Sequence, residues 1–188
     1  MMTGKERRNK KEHMIKEYIR IVMDTGRKAG VTGYRNQEEI EKYLIGINKE
    51  AVGAMNLEGE GADVGSGNGS LAVVVKWYYP EKRVYCVERN RRKAAFIRQA
   101  MHRLKIEGVE VIAADLHEIR GGHRWDWVIL REVRLDEKLM VDIESCLNEE
   151  GRIYWITSMA KAEELRQKLG TETKILKVLQ EGYCLVRR

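Results

Sequence analysis

The run Asp63-Val64-Gly65-Ser66-Gly67-Asn68-Gly69 decides the fold. It lies between residues 60–64, which read as a short strand, and residues 70–79, which read as a helix closed by Pro80. A glycine-rich strand-to-helix turn suits a ligand, because glycine adopts positive φ and leaves no Cβ in the way of a bound group. In an open parallel sheet such turns stand beyond the carboxyl ends of the strands, where ligands bind.

Outward from this turn the chain alternates. Strands are predicted at 83–88, 109–113, 125–130 and 151–157, and helices at 91–105, 136–147 and 160–169. Two further strands, 173–179 and 183–187, are joined by Gln180-Glu181-Gly182 without a helix, so they form an antiparallel hairpin at the sheet edge. Two helices, 5–29 and 37–56, come first; Asn36 caps the second, with Glu39 three residues on. The expectation is an α/β, Rossmann-like fold with a mostly parallel sheet, an antiparallel C-terminal hairpin and N-terminal helices. A helical extension, 1–57, precedes a cofactor-binding domain, 58–188.

The glycine spacing discriminates between ligands. A dinucleotide loop is G-x-G-x-x-G, which from Gly65 requires glycine where Ser70 stands. The loop here is G-x-G-x-G, with Asp63 two residues upstream and no lysine after it. A carboxylate beside the loop suits the cationic amino-acid half of S-adenosylmethionine better than a pyrophosphate. Glu88 ends the second strand, 19 residues after Gly69, where a carboxylate can accept from both ribose hydroxyls. Asp115, past the third strand, can take an adenine amino group or cap the following turn. The expected cofactor set is Asp63, Gly65, Ser66, Gly67, Asn68, Gly69, Glu88, Arg89, Asp115 and Leu116.

Composition narrows the function classes. Of 188 residues 43% are apolar, enough to bury a core, and the net charge is +6. The positive charge is clustered: residues 5–28 hold nine Lys/Arg against four Asp/Glu, and 89–105 hold seven and no acid. Such clusters suit a polyanion, most simply nucleic acid, or are solvated helix faces. Cys86, Cys146 and Cys184 form no CxxC, and the four histidines are scattered, so neither a metal site nor a disulfide framework is expected. His117 and His123 are expected at the mouth of the site, as surface side chains. Reduced thiols, no apolar leader and no run of 18 apolar residues point to the cytoplasm and away from a membrane. A monomer is expected.

From about residue 18 onward the chain resembles the 16S rRNA guanine-N7 methyltransferase family, also called glucose-inhibited division protein B. That family reads L-D-V-G-S-G-x-G at the first strand, here Ala62-Asp63-Val64-Gly65-Ser66-Gly67-Asn68-Gly69. After the acid that ends its second strand it reads K-R-x-x-F-L-R, here Arg92-Lys93-Ala94-Ala95-Phe96-Ile97-Arg98. Its S-R-A-V after the fourth strand reads Leu130-Arg131-Glu132-Val133. The resemblance implies a class I S-adenosylmethionine-dependent methyltransferase acting on ribosomal RNA, with Arg131 facing the cofactor and the target base. The N-terminal half departs from it: the family's H-x-x-D-S reads Tyr43-Leu44-Ile45-Gly46-Ile47, without the His and Asp.

Other chemistries leave marks that are missing. With Pro80 the only proline, no Asp/Asn-Pro-Pro-aromatic loop for amino-nitrogen methylation follows the fourth strand. No cysteine is placed as the nucleophile that pyrimidine C5 methylation requires. Guanine N7 loses no proton on attack, so positioning alone serves it. Two rivals stay open: a methyltransferase for a small molecule or protein, and a non-catalytic RNA-binding protein on the same scaffold.

Overall fold

The computed structural model describes residues 3–134, 136–169 and 173–187. Among the described residues seven strands form one sheet in the order β3-β2-β1-β4-β5-β7-β6. The strands are β1 (Gly61–Val64), β2 (Val84–Val87), β3 (Val109–Ile112), β4 (Trp125–Arg131), β5 (Leu147–Ser158), β6 (Lys174–Val178) and β7 (Tyr183–Arg187). The first five are parallel; β7 runs antiparallel beside β5, and β6 pairs with β7 at the edge. Both β1 and β2 are buried at every position, as expected of parallel strands covered on both faces.

On one face lie α1 (Gly4–Ile21), α2 (Gln37–Glu39), α3 (Ile47–Val52), α4 (Ser70–Tyr78) and α5 (Arg91–Arg103). Tyr18, Ile21, Ile40 and Ile47 of the N-terminal segment share one core with Val74, Ile97 and Trp127. The opposite face carries α6 (Glu137–Ser145) and α7 (Met159–Leu169), over a second core that includes Val64, Leu116, Ile143 and Trp155. Caps explain where helices begin. Asn36 accepts from Glu39 N at 2.8 Å and Asp136 from Leu139 N at 2.9 Å.

Three elements differ from the sequence reading. The first helix widens into a π turn over Val22–Gly26, and the second is α-helical only at its ends, with a π turn over Ile40–Gly46 between α2 and α3. Apolar periodicity does not distinguish i→i+4 from i→i+5 ladders, so this was not legible. The fifth strand begins at Leu147, because α6 stops at Ser145 and an irregularity in the β4–β5 pairing absorbs the residues between Leu147 and Arg152. His123 packs against Tyr85 and Trp125, near the amino end of β4, so it is not at the mouth of the site.

Candidate cofactor cleft and the arginine beside it

The glycine loop joins β1 to α4 at the carboxyl edge of the sheet. Gly65, Gly67 and Gly69 all have positive φ. At Gly69 the reason is packing: a Cβ would meet Ile97 of α5 at 3.1 Å. At Gly67 a Cβ would meet nothing closer than 3.8 Å, although Gly67 itself is not in the lining of the adjoining cleft.

Two buried carboxylates flank this loop, and one of them bonds it. Glu88, 7% exposed, accepts from Gly67 N at 2.9 Å through one oxygen and from Asn90 N at 2.8 Å through the other. Asp63 is 3% exposed, and its Oδ2 has no hydrogen-bond partner within the protein. Burial pushes its carboxyl up to about 7; the negative Glu88 adds to this, while Arg131 and Ser66 oppose it. A buried carboxylate oxygen without a donor is costly, and a cationic group seated against it would repay that cost.

A cleft of about 620 Å³ opens from the loop. Val64, Gly65, Val87, Glu88, Arg89, Ala114, Asp115 and Leu116 line one side of it, and Glu132, Val133 and Arg134 the other. Leu116 is buried and supplies apolar wall. Arg89 is exposed, 3.8 Å from Asp115 in an ion pair. Asp115 caps the 3₁₀ turn Leu116–Ile119, accepting from His117 N, so part of its carboxylate is committed to the fold. His117 is half-exposed and lies 3.3 Å from the buried Asp142, which also meets Arg120.

The remaining expected residues face inward. Ser66 donates to Asp63 O at 2.6 Å, closing the turn. Asn68 accepts from Ser70 N at 3.0 Å and from Tyr18 OH at 3.2 Å, tying the loop to α1. Arg131 is not in the lining of the cleft. Its guanidinium donates to Asn48 Oδ1 at 2.8 Å and to the Tyr43 carbonyl, and sits 5.8 Å from the Tyr183 ring centroid. Asn48 in turn donates to Ser70 Oγ at 3.1 Å. A continuous polar chain therefore runs Arg131–Asn48–Ser70–Asn68–Tyr18. Asn48 is fully buried, and sequence reasoning missed it. Its signal was a polar residue on an apolar helical face, between Leu44 and Val52.

Loop spacing, strand order and the antiparallel β7 define a Rossmann-like methyltransferase fold. A solved ribosomal protein L11 methylase from Lactobacillus delbrueckii subsp. bulgaricus superposes with a TM-score of 0.62 at 17% identity, over 82% of this chain and 79% of that one. The profile of the family described as "GidB: rRNA small subunit methyltransferase G" matches residues 11–182, and the chain belongs to that family. Its relatives include ribosomal RNA small subunit methyltransferase G of Nitrosospira multiformis, 36% identical over 56% of this chain and 52% of that protein. The protein of that name from Helicobacter pylori is 22% identical over 85% of this chain and 87% of its own length. The chain spans about half the length of the Nitrosospira multiformis protein and of several other curated relatives it matches.

Proposed function

We propose that this chain transfers the methyl group of S-adenosylmethionine to N7 of a guanine in small-subunit ribosomal RNA. The observation that carries the reading is Asp63, a buried carboxylate with an unpartnered oxygen beside the glycine loop. In this reading Asp63 receives the cationic amino group of the cofactor; Gly67 leaves room for its methionine end, while Gly65 and Gly69 let the loop pack closely against Val133 and Ile97. Glu88, anchored by two backbone amides, keeps lone pairs for the ribose hydroxyls. Leu116, with Val87, supplies apolar wall for the adenine, and Asp115 lies at its rim. The cofactor brings a methyl group made electrophilic by sulfonium charge. Guanine N7 attacks with a free lone pair and releases no proton, so the protein's part is alignment and exclusion of water, without a general base.

Membership of the rRNA methyltransferase family and the basic segments 5–28 and 89–105 support RNA as the substrate. The N-terminal segment 1–57 and the basic helix α5 are assigned to RNA recognition, and the remainder of 58–188 to the cofactor. No helix among the described residues is long and apolar enough to cross a membrane, and the protein is proposed to act as a cytoplasmic monomer. The test is calorimetric titration with S-adenosylhomocysteine, with NAD as control, followed by methyl transfer to an unmodified small-subunit rRNA transcript. Selective binding of S-adenosylhomocysteine and an N7-methylguanine product uphold the reading. A protein that binds no S-adenosylhomocysteine overturns it, and a rival that binds RNA without turnover takes its place.

A further inference from the structure

Two tyrosines of the N-terminal segment and one of β7 gather around Arg131. The rings of Tyr34 and Tyr43 stack, 5.5 Å between centroids and 7° from parallel. Tyr183, at the start of β7, lies under the Arg131 guanidinium. All three residues are half-buried, packed on one side against the main core and keeping some surface toward solvent. Tyr34 precedes α2, Tyr43 lies in the following π turn, and Tyr183 comes from the far end of the chain. A core needs no such gathering of half-exposed rings, because tyrosine contributes most to stability when its ring is covered and its hydroxyl paired.

The cluster borders the cleft. Arg131 is the last residue of β4, and the next three residues line the cofactor cleft. Glu132 has φ of +52°, a left-handed conformation that is uncommon for a non-glycine residue. The chain therefore turns sharply between a residue that serves the tyrosines and residues that serve the cleft. Unfavourable backbone of this kind persists where surrounding structure holds it, often at functional sites.

We propose that Tyr34, Tyr43 and Tyr183, organised by Arg131, form the platform on which the target base stacks. The inference rests on the RNA reading above and specifies its substrate contact. Aromatic faces accept any base, and stacking binds a base without touching its edge. That suits attack by guanine N7, whose lone pair a hydrogen-bond donor would engage. Arg131 spends Nη donors on Asn48 and the Tyr43 carbonyl, so it is a positioning residue that fixes the rings and supplies a positive charge behind them. Lys42, 5.2 Å from the Tyr43 ring centroid, adds a cation beside the stack.

The test compares Tyr34→Leu, Tyr43→Leu and Tyr183→Leu with the corresponding Phe variants. The probe is an unmodified small-subunit rRNA transcript, and S-adenosylhomocysteine affinity and melting temperature are measured alongside. The expected result is a fall in kcat/KM for RNA of about tenfold for each Leu variant, recovery with Phe, and unchanged S-adenosylhomocysteine affinity. Unchanged kcat/KM in all three Leu variants overturns the platform while leaving the methyltransferase reading intact. So does a loss that Phe does not recover or that carries cofactor affinity down with it, since that marks a structural role. A wild-type protein that methylates no RNA fails at the earlier step and removes the premise of both.

Discussion

The cofactor cleft and the tyrosine cluster adjoin at the end of β4 but are built by different means. The cleft is framed by short local stretches at the carboxyl ends of strands: Val64 and Gly65 for β1, Val87 to Arg89 for β2, Ala114 to Leu116 for β3, and Glu132 to Arg134 for β4. Backbone amides and carboxylates shape it, and its geometry follows from chirality and strand direction. The cluster is assembled from residues 34, 43, 131 and 183, brought together only when the sheet closes over the N-terminal helices. One region depends on backbone conformation, the other on tertiary packing, and substitutions should separate them.

The largest effect is expected at Gly69. Valine there must adopt positive φ and press on Ile97, costing roughly 3 kcal/mol and displacing the loop. Calorimetry should find S-adenosylhomocysteine binding abolished, with melting temperature well down. Asp63→Asn comes next and is more selective. Losing the charge should lower S-adenosylhomocysteine affinity about a hundredfold, in line with a charged hydrogen bond of roughly 2–3 kcal/mol.

The pH dependence sharpens that second test. The Asp63 carboxyl is at about 7 in the fold, against about 3.9 unfolded. Between these values the folded chain holds a proton that the unfolded chain has released. Stability from this group is thus fully present below about 4 and is lost as pH rises to about 7. Cofactor affinity runs the other way, because the amino group needs the ionised carboxylate. It should rise with pH by up to about tenfold per unit, and flatten above 7. Titrations across pH 5–8 should show both trends in the wild type and neither in Asp63→Asn.

Arg131→Met is a smaller perturbation, aimed at the junction. It removes charged donors from Asn48 and Tyr43, costing about 2 kcal/mol in chemical denaturation. It also removes the cation that opposes the rise of Asp63, so the pH midpoint for cofactor binding should move upward. Arg131→Lys should not restore stability, because one ammonium cannot reproduce the fork. The smallest change is expected from Arg91→Gln with Arg92→Gln on α5, both exposed and outside the cleft lining. Cofactor affinity should be nearly unchanged, while the slope of log RNA affinity against log salt should lessen by roughly 1.4–1.8. An unchanged slope would remove α5 from the RNA surface.

The same division explains what the sequence made legible. The turn at 63–69, Glu88 and the strand alternation follow from local rules, and the seven strands lie where the reading put them to within a few residues. Gly65, Glu88, Arg89, Asp115 and Leu116 line one cleft. Ser66 and Asn68 were legible as loop residues but not in their role, which is to brace the turn from behind. Arg131 was identified from resemblance alone, and its partners Asn48 and Tyr43 depend on how the second helix packs. No local pattern announces that Tyr34 and Tyr183 become neighbours. The ends of α6 and β5 were misjudged because an irregular register lets a strand start early without an alternating pattern.

One feature of the sheet bears on how the molecule is made. β7 lies between β5 and β6, although it is the last of the three in the chain. During synthesis β6 emerges without its hydrogen-bonding neighbour, and β5 presents an open edge until β7 is inserted. An unpaired edge next to parallel strands is a site for association with other nascent chains. Pairing of β5 and β6 thus waits on β7. A ribosome that stops before Tyr183 would release a chain able to form the cofactor loop but prone to aggregate through β5.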